Sequence, residues 1–180
     1  MIVTILWEDQ RGPTRGFGPH ELLVQCLVDR LARKRSEIER CINGVPKKGV
    51  SNVLRAMRQD LRNLANDGPV FAVIDRDKIH RALDAQPMNC MTGMRDYILE
   101  NAQGKLYVDV VFLVDNIESL IDASCVALGI EKPSAKPTLD ERDRYCGRLV
   151  WKGTPATRAK ALEGCPSFAR LVERVAKSIG

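Results

Sequence analysis

Aromatic residues make up only 5% of this 180-residue chain, and there are two histidines. So few rings leave a stacking platform for single-stranded nucleic acid poorly provided for. His20 and His80 sit in no H-x-x-x-H spacing, so a histidine-based metal centre has no ligand set. No apolar run approaches the ~20 residues that cross a bilayer, and no membrane association is expected. The opening residues, Met1 to Glu8, carry no basic stretch and reach an acid too early for a signal peptide, so a cytoplasmic location is expected. The six cysteines contain no C-x-x-C pair, and the chain is neither short nor secreted in pattern. Ordinary thiols are expected in place of a zinc site or a disulfide framework. No G-x-x-x-x-G-K-[ST] occurs, which excludes a P-loop. Repeats, low-complexity segments and Ser/His/Asp or Cys/His catalytic motifs are also absent.

What is present is an average globular composition, 44% hydrophobic and 28% charged. The length suits one domain, or one domain with a small appendage. The net charge of +5 is unevenly spread. Residues 30–62 carry ten Lys/Arg against three acids, residues 69–135 six against ten, and residues 136–180 ten against five. An acidic middle between basic flanks suits a metal site beside a polyanion-binding surface.

Strands and helices alternate along the chain. Ile2 to Trp7 reads as a buried strand, followed by a Gly/Pro/Arg loop at 10–18 and a helix at 19–34. A short strand is expected at 37–42, a turn-rich loop at 43–49 and a helix at 52–65. Val70 to Ile74 is the clearest buried strand. Helices are expected at 78–84 and 91–101, a strand at 107–114 and a helix at 117–128. A Pro/Lys linker at 131–137 leads to helices at 138–145, 155–162 and 166–178. Trp7 reads as core, and Trp151 with Phe168 as anchors of the last helices. The expected architecture is α/β, a parallel sheet flanked by helices over 1–130, with a C-terminal helical cap over 131–180 packed on it.

Three of these strands end in acids: Glu8-Asp9, Asp75-x-Asp77 and Asp115, with Glu118 one helical turn later. Ligands of doubly wound sheets bind where the C-terminal strand ends converge. Asp75 and Asp77 project to one side of an extended backbone. Facing a Glu from a neighbouring strand, they make a hard oxygen site of the kind Mg2+ favours.

A Glu ending the first strand (Val3-Thr4-Ile5-Leu6-Trp7-Glu8) and a later strand ending in Asp-x-Asp (Val70-Phe71-Ala72-Val73-Ile74-Asp75-Arg76-Asp77) resemble the TOPRIM domain. The chain is most similar to small stand-alone TOPRIM-like prokaryotic proteins related to the OLD-family nucleases. Glu21, Ile117-Glu118 and Cys165-Pro166-Ser167-Phe168 match further positions of that pattern. The resemblance implies a TOPRIM/Rossmann-like fold and a phosphodiesterase activity on nucleic acid. It assigns Asp75 and Asp77 as ligands of Mg2+ or Mn2+, Glu8 as acid/base group or ligand, and Glu118 as a further ligand. It also implies an ABC-type ATPase partner in a phage-defence-type system. Asp9 stands where the family usually has Gly, and this departure supports the alternative of a catalytically inactive binding or regulatory module.

Several basic residues are candidates for nucleic-acid contact. Lys47 and Lys48 lie in a glycine-containing loop at the expected crevice edge, Arg11 and Arg15 in the inserted loop, and Arg55, Arg58 and Arg62 at helical spacing. A phosphoacceptor receiver-like domain is a further rival, since it too has acids after strand one and an Asp after strand three. It also requires a Lys after a later strand, which Val114-Asp115-Asn116 does not supply.

Overall fold

The computed structural model describes residues 1–8, 18–59, 68–75, 108–113, 116–133 and 136–180. Four strands, β1 (Val3–Trp7), β2 (Ile42–Pro46), β3 (Val70–Asp75) and β4 (Val108–Leu113), form a parallel sheet in the order β2-β1-β3-β4. The described helices are α1 (Gly18–Leu31), α2 (Arg35–Cys41), α3 (Val50–Gln59), α4 (Asn116–Leu128), α5 (Leu139–Lys152), α6 (Pro155–Glu163) and α7 (Pro166–Ile179). The α/β expectation with a parallel sheet therefore holds. The expected helices at 78–84 and 91–101 lie outside the described residues, as do Asp9, Arg11, Arg15, Arg62, Asp77, His80 and Asp115.

The chain divides into two compact units. One holds the four strands and α3; the other holds α1, most of α2 and α4 to α7. In this division α1 and α4 group with the C-terminal helices.

In the sheet unit, every residue of β1 and β3 is buried. Continuous apolar runs behave this way when a parallel strand is covered on both faces. α3 adds Val53, Ala56 and Met57 to the core. Gly68 enters β3 so close to Ile2 that a Cβ would stand 1.8 Å from the Ile2 carbonyl oxygen, a contact only glycine avoids.

Two expectations are corrected around β2. The segment expected as a strand at 37–42 is helical up to Cys41. Ile38 is the single buried residue of α2, and Arg35 Nε donates to Glu39 Oε1 at 2.7 Å across one helical turn. The turn-rich stretch after it pairs instead with β1, Val3 against Ile42 through Trp7 against Pro46. Gly44 and Pro46 are tolerated because β2 is the outermost of the described strands on its side, where a missing N–H disrupts no further ladder among them.

In the helical unit, α1 packs on α5 and α6, and α4 packs on α5 and α6. α7 buries Phe168, Leu171, Val172, Val175 and Ala176 along one stripe. The Cys-Pro-x-Phe pattern is its start: Cys165 precedes the helix, Pro166 takes the first turn, and Phe168 is fully buried. Thr138 and Glu141 form a capping box at α5, the Thr138 hydroxyl accepting from the Glu141 N–H and the Glu141 carboxylate from the Thr138 N–H at 2.8 Å. Trp151 corrects another expectation. It is 72% exposed on α5 and anchors nothing, whereas Phe168 is core as expected.

The helical unit has a polar keystone. Arg158 on α6 is 5% exposed. Its Nε and Nη2 donate to both oxygens of Asp29 on α1, and its Nη1 donates to the carbonyls of Leu149 and Gly153 at 2.9 and 2.6 Å. One guanidinium thus pairs with a carboxylate in a fork and closes the C-terminus of α5. Burial, with the Asp29 charge beside it, pushes the Cys26 thiol up to about 12, and burial does the same to Cys146. Both thiols stay protonated at neutral pH.

Removing the guanidinium strands a buried carboxylate and several carbonyls. Arg158→Ala should lower stability by about 3–5 kcal/mol. Arg158→Lys should recover little of it, because an ammonium cannot reproduce the fork; denaturant unfolding measures both. His20 supplies a pH test. Burial, then the Arg35 charge, lowers its pKa to about 4, with Glu39 opposing. The folded state holds the ring neutral while the unfolded chain protonates near pH 6.5. Its stabilisation is therefore complete above that value and lost as pH falls through about 4. The loss should reach about 2 kcal/mol, part of the full linkage because the ring is only partly buried. His20→Gln should flatten that part of the stability–pH curve.

Candidate metal site at the strand ends

The strand order places a topological switch between β1 and β3. From β1 the chain moves to one side to make β2, then crosses to the other side to make β3. In open parallel sheets the crevice at the C-terminal ends of such a strand pair is the ligand site. Glu8 follows β1 directly, and Asp75 is the last residue of β3.

Both are buried, Glu8 8% and Asp75 9% exposed. Glu8 Oε2 accepts a hydrogen bond from the Asp75 backbone N–H at 2.8 Å. The Glu8 backbone is tied on both sides as well. Its N–H donates to the Val73 carbonyl at 3.2 Å, and its carbonyl accepts from the Gly49 N–H at 2.6 Å. Glu8 is thus oriented by β3 on one side and by the β2–α3 loop on the other. It has a structural duty that the strand-end pattern did not reveal.

That loop carries Lys47 and Lys48. The Lys47 N–H donates to the Trp7 carbonyl at 2.9 Å, which sets the loop beside the C-terminal end of β1. Lys48 and Gly49 have φ of 54° and 116°, the left-handed region, which turns the chain sharply into α3. The Gly49 carbonyl accepts from the Asn52 and Val53 N–H groups and opens the helix. The N-terminus of α3, with its partial positive charge, is therefore at the same edge as Glu8. Lys48 is exposed, Lys47 half-buried. Arg55 is exposed on α3 and donates to Asn52 Oδ1 at 3.0 Å, and Arg58 lies one turn further along the helix.

Glu21 and Glu118 belong to the helical unit. Glu21 accepts from Arg35 Nη2, and Glu118 pairs with Lys136 Nζ at 3.0 Å. Burial works against ionisation of Glu118, but the Lys136 hydrogen bond and the Glu118 backbone N–H outweigh it and hold its carboxyl below the usual range. The structure thus joins Glu8 and Asp75 directly, with Lys47 and Lys48 beside them, while Asp77 lies outside the described residues.

Among the described residues, no three His, Cys, Asp or Glu side chains group to hold a metal ion. Two carboxylates at this edge still fit what Mg2+ requires from a protein, one or two carboxylates completed by water and phosphate oxygens. No membrane-crossing helix occurs among the described residues. Comparisons with protein families, curated proteins and solved structures gave no match.

The Glu8 hydrogen bond separates its structural duty from its charge. Glu8→Ala should cost about 1–3 kcal/mol, because the buried Asp75 N–H loses its acceptor. Glu8→Gln keeps an acceptor oxygen of the same reach and should unfold close to wild type. Equal destabilisation of the two variants in denaturant melts would contradict this account.

Proposed function

We propose that the chain is a Mg2+- or Mn2+-dependent TOPRIM-like nuclease subunit that cleaves phosphodiester bonds in nucleic acid. The observation carrying this reading is the Glu8 carboxylate bound to the Asp75 N–H at the β1/β3 switch. Asp75, with Asp77, would hold the metal ion. Bound metal would stabilise charge on the phosphate oxygens and lower the pKa of the attacking water. Glu8, fixed by its hydrogen bond, would act as ligand or as the group that moves the proton. Lys47, Lys48 and the start of α3 would place the phosphate backbone through ammonium and N–H groups. An ABC-type ATPase partner in a phage-defence-type system belongs to this proposal on the strength of the family resemblance alone.

The strand order also favours a second reading. A receiver-like domain shares the order β2-β1-β3-β4 and the acids after β1 and β3. There Asp75 would accept a phosphoryl group. Acid-labile phosphate on the wild-type protein, absent from Asp75→Asn, after incubation with a small phosphodonor would favour it over the nuclease.

Thermal melts test the metal site. A divalent ion that binds only the folded state stabilises by about 2.7 kcal/mol at a hundredfold excess over Kd. Mg2+ or Mn2+ should therefore raise the wild-type midpoint, and Glu8→Gln and Asp75→Asn should erase the rise. Wild type should nick DNA with the metal, and both variants should not. A metal response without nicking would move the conclusion to an inactive binding or regulatory module. No metal response in the wild type would refute the site.

A further inference from the structure

Among the described residues, Met1, Val126 and Trp151 are the exposed large apolar side chains, and Trp151 is the aromatic one. A tryptophan 72% exposed on a well-formed helix needs an explanation, since burial of its ring would stabilise the fold. We propose that the outer face of α5, centred on Trp151, binds single-stranded nucleic acid. Bases would stack on Trp151 and Tyr145, and phosphates would meet Arg148 and Lys152.

The helical repeat puts these groups together. Positions 144, 145, 148, 151 and 152 fall on one side of α5, opposite the buried Arg142, Cys146, Leu149 and Val150. Arg144, Arg148 and Lys152 are exposed. The Arg144 and Arg148 guanidiniums lie 5.9 and 5.7 Å from the Tyr145 ring centre. Asp140 and Glu141 are the acids on this side, Glu141 3.7 Å from Arg144, so three cations stand against two acids.

The Trp151 ring is also held. The Arg35 guanidinium lies 5.2 Å from its centre. Arg35 is fixed in turn by Glu21, by Glu39 at 2.7 Å and by Gln25 at 3.2 Å. The ring is ordered before a ligand arrives yet remains mostly in solvent, so binding would cost little side-chain entropy. Glu21 and Glu39 are engaged by Arg35 and Glu141 by Arg144, leaving Arg148 and Lys152 to meet phosphates. Stacking on a free ring requires unstacked bases, which favours a single strand over a duplex. A membrane-surface helix would need a broad exposed apolar face, and on α5 the apolar face is the buried one.

The metal-site reading supplies no part of this argument, and the two are tested apart. The probe is a short oligothymidylate added to the whole protein in EDTA, followed by tryptophan emission. Trp7 is 1% exposed, so a change on binding reports Trp151. Saturable quenching is expected, lost in Trp151→Leu; affinity, read from the anisotropy of a fluorescein-labelled oligothymidylate, should be about tenfold weaker in Trp151→Leu and in Arg148→Glu and largely restored by Trp151→Phe. A duplex should bind more weakly, and phosphatidylserine vesicles should leave the emission unchanged. No binding, binding without quenching, wild-type affinity in Trp151→Leu, or preference for the duplex or the vesicles would each overturn the proposal. The metal-induced rise in melting temperature is measured without nucleic acid, so either reading can fail alone.

Discussion

The hydrogen-bond demand of a central parallel strand governs the sheet unit. β1 must satisfy N–H and C=O groups toward β2 on one side and β3 on the other, with both faces buried. Leaving any of these groups unpaired would cost more than a typical hydrogen bond returns. The ladder therefore runs past the last strand residue into Glu8, whose backbone bonds Val73 and Gly49. The carboxylate is aimed by the same backbone that completes the sheet, so the rigidity of the crevice edge derives from the core.

The acids divide by how they are held. Asp29 is clasped by Arg158, Glu21 by Arg35 and Glu118 by Lys136. A carboxylate paired with a cation inside its own unit is part of the architecture, its charge already opposed. Glu8 accepts from the backbone N–H of Asp75, which fixes the direction of its carboxylate.

The parallel sheet was legible because β1 and β3 are unbroken apolar runs ending in acids, and the acids fall where strand ends converge. The helices beyond residue 138 were legible from period and capping, with α5 running on to Lys152 beyond the expected end near 145. β2 was not legible. Asn43, Gly44 and Pro46 are turn residues by composition, and only pairing to β1 makes them extended. Trp151 was misread because an isolated tryptophan is core by default; its ring contact is Arg35, more than a hundred residues away in sequence. The Asp29–Arg158 pair was invisible for the same reason, since no local pattern links positions 129 residues apart.

The composition of β2 has a consequence for association. An outer strand offers a row of N–H and C=O groups on which another chain could build. β2 is five residues long, holds Gly44 in its middle and ends at Pro46, which has no N–H to donate. An incoming strand would find a short template with one donor missing. On that side the sheet is guarded against edge-to-edge growth by the same residues that made it look like a loop.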